Sequence, residues 1–176
     1  MSARARAGAF FAAATALGAL VLAAPGQFPS RFKVPVEAAL LEKTIAVPAE
    51  SGWVDTGIEL RAGEAIRFAA TGEIDLQKGN PGAVCGPGGI DLVTSDQPIP
   101  NSNLGALIGK VVQLVAARVD EGSRLEIRDE VFYLFLIGEE ASVAVPFKGR
   151  LYLGVNENVL RDNGGVYSVV VTRRPD

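Results

Sequence analysis

The stretch Ile58-Glu59-Leu60-Arg61-Ala62-Gly63-Glu64-Ala65-Ile66-Arg67-Phe68-Ala69-Ala70 decides the fold class. Ile58 and Leu60 stand two residues apart, Arg61-Ala62-Gly63-Glu64 has turn character, and Ile66, Phe68 and Ala70 then alternate with Arg67 and Ala69. Period two places one set of side chains on a single face of a strand. The segment is therefore predicted as strand, turn and strand.

The same texture continues outward from it. Downstream runs at 106–119, 124–128, 131–137, 142–145, 150–155 and 166–172 are short and mostly rich in β-branched and aromatic residues, which suit a pleated sheet. Val131-Phe132-Tyr133-Leu134-Phe135-Leu136-Ile137 is the most apolar of them and is predicted to lie at the centre of the core. Strands at this spacing, without long helices between them, imply an all-β sandwich of jelly-roll type rather than an α/β fold. The segment 76–103, rich in Gly and Pro, reads as a long crossing loop of the kind that carries function. Upstream, 36–43 is expected to form a short helix or a lead-in segment.

Composition agrees with one folded domain. The 176 residues are 48% hydrophobic and 21% charged, with 20 Gly and 10 Pro, which suits a turn-rich globular chain. Arg4 and Arg6 precede an Ala- and Leu-rich run that closes at Val21-Leu22-Ala23-Ala24 before Pro25, the layout of a signal peptide. Pro25 discourages a cut after Ala24, whereas Val21 and Ala23 suit one a residue earlier. An uncleaved anchor is the alternative, and ~20 strongly apolar residues are needed to span a bilayer. The expected organisation is a signal peptide at 1–24, a linker at 25–42 and a sandwich domain at 43–176, secreted or periplasmic.

Loss of the first 24 residues removes two arginines and no acids, leaving 15 basic against 20 acidic residues. That balance disfavours nucleic acid as a partner. The single cysteine, Cys85, has no internal disulfide partner and is expected to be buried and inert. The chain has no histidine, which excludes serine–histidine triads and histidine-ligated zinc or haem sites. Any metal is expected to be hard and held by oxygen.

The richest set of oxygen side chains is Asn156-Glu157-Asn158-Val159-Leu160-Arg161-Asp162-Asn163-Gly164-Gly165, between the last two strands. Two carboxylates and three amides in one short loop suit calcium, which takes six to eight oxygens. The alternative is a solvated hairpin turn, because Asp-Asn-Gly-Gly tolerates positive φ. Gly86-Pro87-Gly88-Gly89 lacks the lysine and helix of a phosphate loop and reads as a turn. Asp129-Glu130 and Glu139-Glu140 flank the apolar run as charged gatekeepers.

Several pieces, taken in order, resemble the bacterial galactophilic lectins of the PA-I type. They are Trp53-Val54-Asp55-Thr56-Gly57-Ile58, Gly63-Glu64 leading to Ala70-Thr71-Gly72, Gly86-Pro87-Gly88-Gly89, Gly105-Ala106-Leu107-Ile108-Gly109-Lys110, Gly149 to Glu157, and Asp162 to Val169. The resemblance implies a jelly-roll-like sandwich, galactose-binding-domain-like, in which a calcium ion bridges the protein and two hydroxyls of a galactose-type sugar. Its ligands fall on Glu157, Asp162 with Asn163, and the carbonyl of Leu76. Glu157 stands where the family has Asp, Asp162 where it has an amide, and the shorter loop leaves the family's threonine ligand without a counterpart. Asn158 is a substitute ligand to weigh. The sugar-contacting histidine is also missing, and Gln97 is the nearby polar residue offered in its place beside Glu157 and Asp162.

The leading expectation is an exported, calcium-dependent carbohydrate-binding protein, not an enzyme, with a homo-oligomer as its means of gaining strength through multivalency. The alternative is a structural or interaction sandwich that has lost the metal. Asp55-Thr56-Gly57 also matches the triplet of aspartic proteases, whose paired carboxylates share a proton, and Leu136-Ile137-Gly138 faintly echoes their second motif. A protease of this kind would need a homodimer, and Ile58 stands where it wants Ala or Ser.

Overall fold

The computed structural model describes residues 41–122 and 124–173. The signal peptide and nearly all of the linker expected at 25–42 lie outside these residues. The strands are β1 (Leu41–Pro48), β2 (Val54–Leu60), β3 (Ala65–Asp75), β4 (Val84–Cys85), β5 (Ile90–Val93), β6 (Asn103–Leu104), β7 (Leu107–Val119), β8 (Glu126–Leu136), β9 (Glu140–Ala144), β10 (Gly149–Val155) and β11 (Gly164–Arg173), with one 3-10 turn at Pro81–Ala83. One sheet runs β1-β11-β3-β4, with β9 also paired to β3. The second runs β2-β10-β7-β8, and β5 pairs with β6 in a small ribbon. All pairings are antiparallel, so the sandwich expectation holds.

The opening stretch folds as its period demands. Ile58 and Leu60 on β2, and Ile66, Phe68 and Ala70 on β3, are buried, while Glu59, Arg67 and Ala69 are exposed. Between them Gly63 takes a φ of 79°, which glycine adopts without a Cβ penalty. The Arg61 N–H donates to Glu64 Oε2 at 2.8 Å, and Glu64 pairs with Arg173 at 3.1 Å. The turn is thereby tied to the end of β11. The core joins Val47, Ile66, Phe68, Ile74, Val169 and Val171 of one sheet to Ile58, Leu60, Val111, Leu151, Leu153 and Phe135 of the other. Phe68 and Phe135 meet between the sheets at a centroid distance of 5.7 Å.

Four sequence expectations are corrected. Val131–Ile137 is not the centre of the core: β8 is an edge strand, with Val131 44% and Phe132 62% exposed, and only Phe135 and Ile137 of the run are buried. The runs at 124–128 and 131–137 join in one strand, Glu126–Leu136, because β7 partners it from Ile108 to Val119 with a single register shift between Leu114 and Ala116. Asp129-Glu130 therefore lies inside that strand rather than at its end. Residues 41–43 are extended rather than helical, since Leu41, Glu42 and Lys43 pair with Arg173, Thr172 and Val171.

Candidate functional site

The site is built where β10 ends and β11 begins. Asn156, the first residue after β10, is fully buried. Its Nδ2 donates to Gln97 Oε1, the Ile99 carbonyl and the Asn103 carbonyl, each at 3.1 Å. Its Oδ1 accepts from the Ile99 N–H at 2.8 Å. This one amide latches the long 97–103 segment to the root of the loop. The sequence counted Asn156 among the loop's oxygen side chains but gave no sign of this latch, because an Asn after a strand reads as ordinary turn chemistry.

Glu157 follows, and its Oε1 accepts from the N–H groups of Asn158 and Val159 at 2.8 and 2.9 Å. The carboxylate therefore holds its own turn. Asn158 donates its side-chain amide N–H to the Asp96 carbonyl, which ties this part of the loop to the lead-in of the 97–103 segment. Asp162 accepts at its backbone carbonyl from the Lys78 N–H at 3.0 Å. Lys78 also runs its stem past Gly164 and brings its ammonium to 3.9 Å from Glu50. Asn163 is fully buried; its Nδ2 donates to the Ala49 carbonyl at 3.2 Å, and its Oδ1 has no partner.

Leu76, just past β3, is buried and donates its N–H to the Ala83 carbonyl at 3.0 Å. Asn80 caps the 3-10 turn by accepting from the Gly82 N–H at 3.1 Å. These pieces close a cavity of about 420 Å³ whose lining includes Leu76, Gln77, Asn80, Glu157, Val159 and Asp162. A smaller hollow of about 260 Å³ opens on the other side of Glu157, between Trp53, Pro98, Asn158 and Leu160.

Of the residues singled out in the sequence, Leu76, Glu157 and Asp162 thus share one concavity, with Asn163 next in the chain. Gln97 does not join them. It is only 6% exposed, its Oε1 is taken by Asn156, and its Nε2 is buried without a partner. Among the described residues no group of three acidic or cysteine side chains is placed to hold a metal by itself. An ion here would depend on amide and backbone oxygens as much as on carboxylates.

The protease triplet has a different use. Asp55 is exposed on β2 and grips Arg150 of β10 through two contacts, at 2.7 and 3.2 Å. The guanidinium holds this carboxyl below the usual carboxylate range, helped by the Gly57 N–H. An aspartate so paired stays charged and does not share a proton. Thr56 is buried and donates to the Leu151 carbonyl at 2.8 Å, so the triplet is a sheet element.

The turn expected at Gly86-Pro87-Gly88-Gly89 is present, with the Gly89 N–H donating to the Gly86 carbonyl at 2.9 Å. Cys85 is buried, its thiol pushed up by desolvation. Among the described residues no helix is long and apolar enough to cross a membrane.

No family model matches the sequence, and no curated protein matches it either. Among solved structures, the chain is similar to the N-terminal domain of EclA, described as a PllA-like lectin, with a TM-score of 0.52 and 22% identity. The match covers 76% of this chain and 97% of that one. The sandwich inferred from strand spacing, and the PA-I-type resemblance carried by the motifs, therefore meet in one result: this chain has the fold of a PllA-like lectin domain.

Proposed function

We propose that this chain is an exported carbohydrate-binding module, not an enzyme, in which calcium held at the tip between β10 and β11 orients sugar hydroxyls. The observation that carries the proposal is Asn163 Oδ1, buried without a partner, next in the chain to Asp162 on the wall that Leu76 and Glu157 share. A buried amide oxygen left unpaired costs about 1–3 kcal/mol, and a hard cation would repay it. The donor set is all oxygen, as calcium prefers: the Leu76 carbonyl, Glu157 through Oε2, Asp162 and Asn163. When bound, the ion would supply coordination to two neighbouring hydroxyls, while the chain's residues hold it and shape the wall against the sugar. Export rests on the leader-like residues 1–24.

A second function is favoured by one feature of the loop. Glu157 Oε1 already holds two N–H groups, and a chain that kept the fold but lost the ion would be an interaction sandwich.

Thermal unfolding of the full-length chain in calcium and in chelator separates the two. Saturation to about a hundred times Kd adds about 2.7 kcal/mol, so Tm is expected to rise by several degrees with calcium. Glu157→Gln and Asp162→Asn are expected to abolish that rise while leaving Tm in chelator unchanged. Calcium-dependent retention on a glycan array, beginning with galactosides, identifies the sugar. Identical melting with and without calcium, together with no retained glycan, sinks the lectin function and leaves the interaction sandwich.

A further inference from the structure

The second sheet turns a polar, concave face away from the core. Ile58, Leu60, Val111, Leu151 and Leu153 are buried in the core, so alternation sends Glu59, Val112, Arg150 and Tyr152 outward. Arg150 stands beside Glu59 on one side and Val112 on the other, and these residues line a groove of about 520 Å³ together with Arg61 and Lys148. Most of the charge here is already spent. Arg150 holds Asp55 at 2.7 Å and Glu59 at 3.1 Å, and Arg128, on the far wall, holds Glu126 at 3.2 Å. Arg61 and Lys148 differ: both are exposed, and among the described residues neither side chain reaches a carboxylate. Leu60 and Gly149 are register partners, so Arg61 and Lys148, one step past that pair, face each other at the end of the groove. Like charges directly opposite on paired strands repel, and an anion between them would relieve that repulsion.

We infer that this groove is a second ligand site, separate from the calcium tip, for a saccharide that carries one anionic group, a carboxylate or a sulfate. The anion sits between Arg61 and Lys148, and the neutral rings run along the half-buried Tyr152 and Val112. The Tyr152 ring offers a flat apolar surface to sugar C–H groups and its hydroxyl a polar end. Gln113 and Glu130 on the opposite wall serve the hydroxyls. The two facing cations select an acidic sugar over a neutral one. Glu59 and Glu130 oppose a polyanion, which would have to lay further charges beside them. The groove and the cavity at the tip share no lining residue, and Arg150 to Asn156 is six residues, about 20 Å along an extended chain.

The test is calorimetric titration of the full-length chain, in chelator, with sialyllactose, sulfated lactose and lactose. At least one of the two charged sugars is expected to bind about tenfold or more tightly than lactose, and to weaken as salt is raised. Whether one or both bind tells which anion the site takes. Lys148→Glu is expected to weaken that binding about tenfold with unchanged circular dichroism, because the side chain is exposed. Arg61→Glu serves the same purpose if the first variant fails to fold. Charged sugars bound no more tightly than lactose, or binding that neither variant weakens, overturns the proposal. So does a glutamate-rich peptide bound as tightly as the charged sugar, which would make the groove a peptide site. Chelator silences the calcium tip, so this site and the one at the tip stand or fall separately.

Discussion

Tyr167 shows how single side chains hold the loops of this sandwich. Its ring is fully buried, and its hydroxyl lies 2.7 Å from the Gly86 carbonyl, 3.0 Å from that of Gly105 and 3.5 Å from the Cys85 sulfur. One phenol on β11 therefore binds two glycine turns from distant parts of the chain. Tyr167→Phe keeps the ring and leaves both carbonyls without that donor, a loss of about 1–3 kcal/mol. Urea denaturation of the pair measures it, and equal midpoints would show the hydroxyl to be idle. Legibility at this scale followed chain locality. Glu157 and Asp162 were readable because both lie in one loop between two strands. Asn156 and Gln97 were not, since their bond spans 59 positions; Gln97 read as a surface contact but is spent inside the loop root.

At the scale of elements, the middle of the second sheet depends on a glycine opposite a ring. Gly109 on β7 faces Phe135 on β8, and a Cβ added at Gly109 would stand only 3.0 Å from Phe135 Cε1, with two further ring atoms closer still. Gly109→Ala must push that ring out of its contact with Phe68. Overpacking of this kind costs about 1–3 kcal/mol, to be read as a drop in denaturation midpoint. Full wild-type stability would mean that the ring moves aside without loss. Strand identity was legible here because period two survives in almost every element. Strand position was not: Val131–Ile137 is apolar enough for a central strand, yet it sits on the edge. Hydropathy records what a side chain prefers, whereas an edge is defined by which strand arrives beside it, and among the described residues β8 has β7 on one side and no strand on the other.

For the molecule as a whole, the buried acids set an alkaline limit. Desolvation pushes the thiol of Cys85 and the hydroxyl of Tyr167 above their ordinary values. The folded chain therefore keeps protons that the unfolded chain releases. Stability from these groups is fully present below their unfolded values, about 8.5 for a thiol and about 10 for a phenol, and declines as pH rises past them. The free energy of unfolding is expected to fall above about pH 9, with Tyr167→Phe flattening the slope above about pH 10. An unchanged slope in that variant would place the alkaline weakness elsewhere.

By itself the sequence determined the all-β class, the absence of histidine chemistry and the oxygen-rich tip after β10, because alternation, composition and local spacing are properties of neighbours along the chain. Only the tertiary structure decided that Leu76 meets Glu157 and Asp162 around one cavity, that Asp55 is spent on Arg150, and that the most apolar run lies open at an edge. Those are meetings of residues far apart in the chain, and they depend on strand order, which each strand's own pattern leaves unspecified.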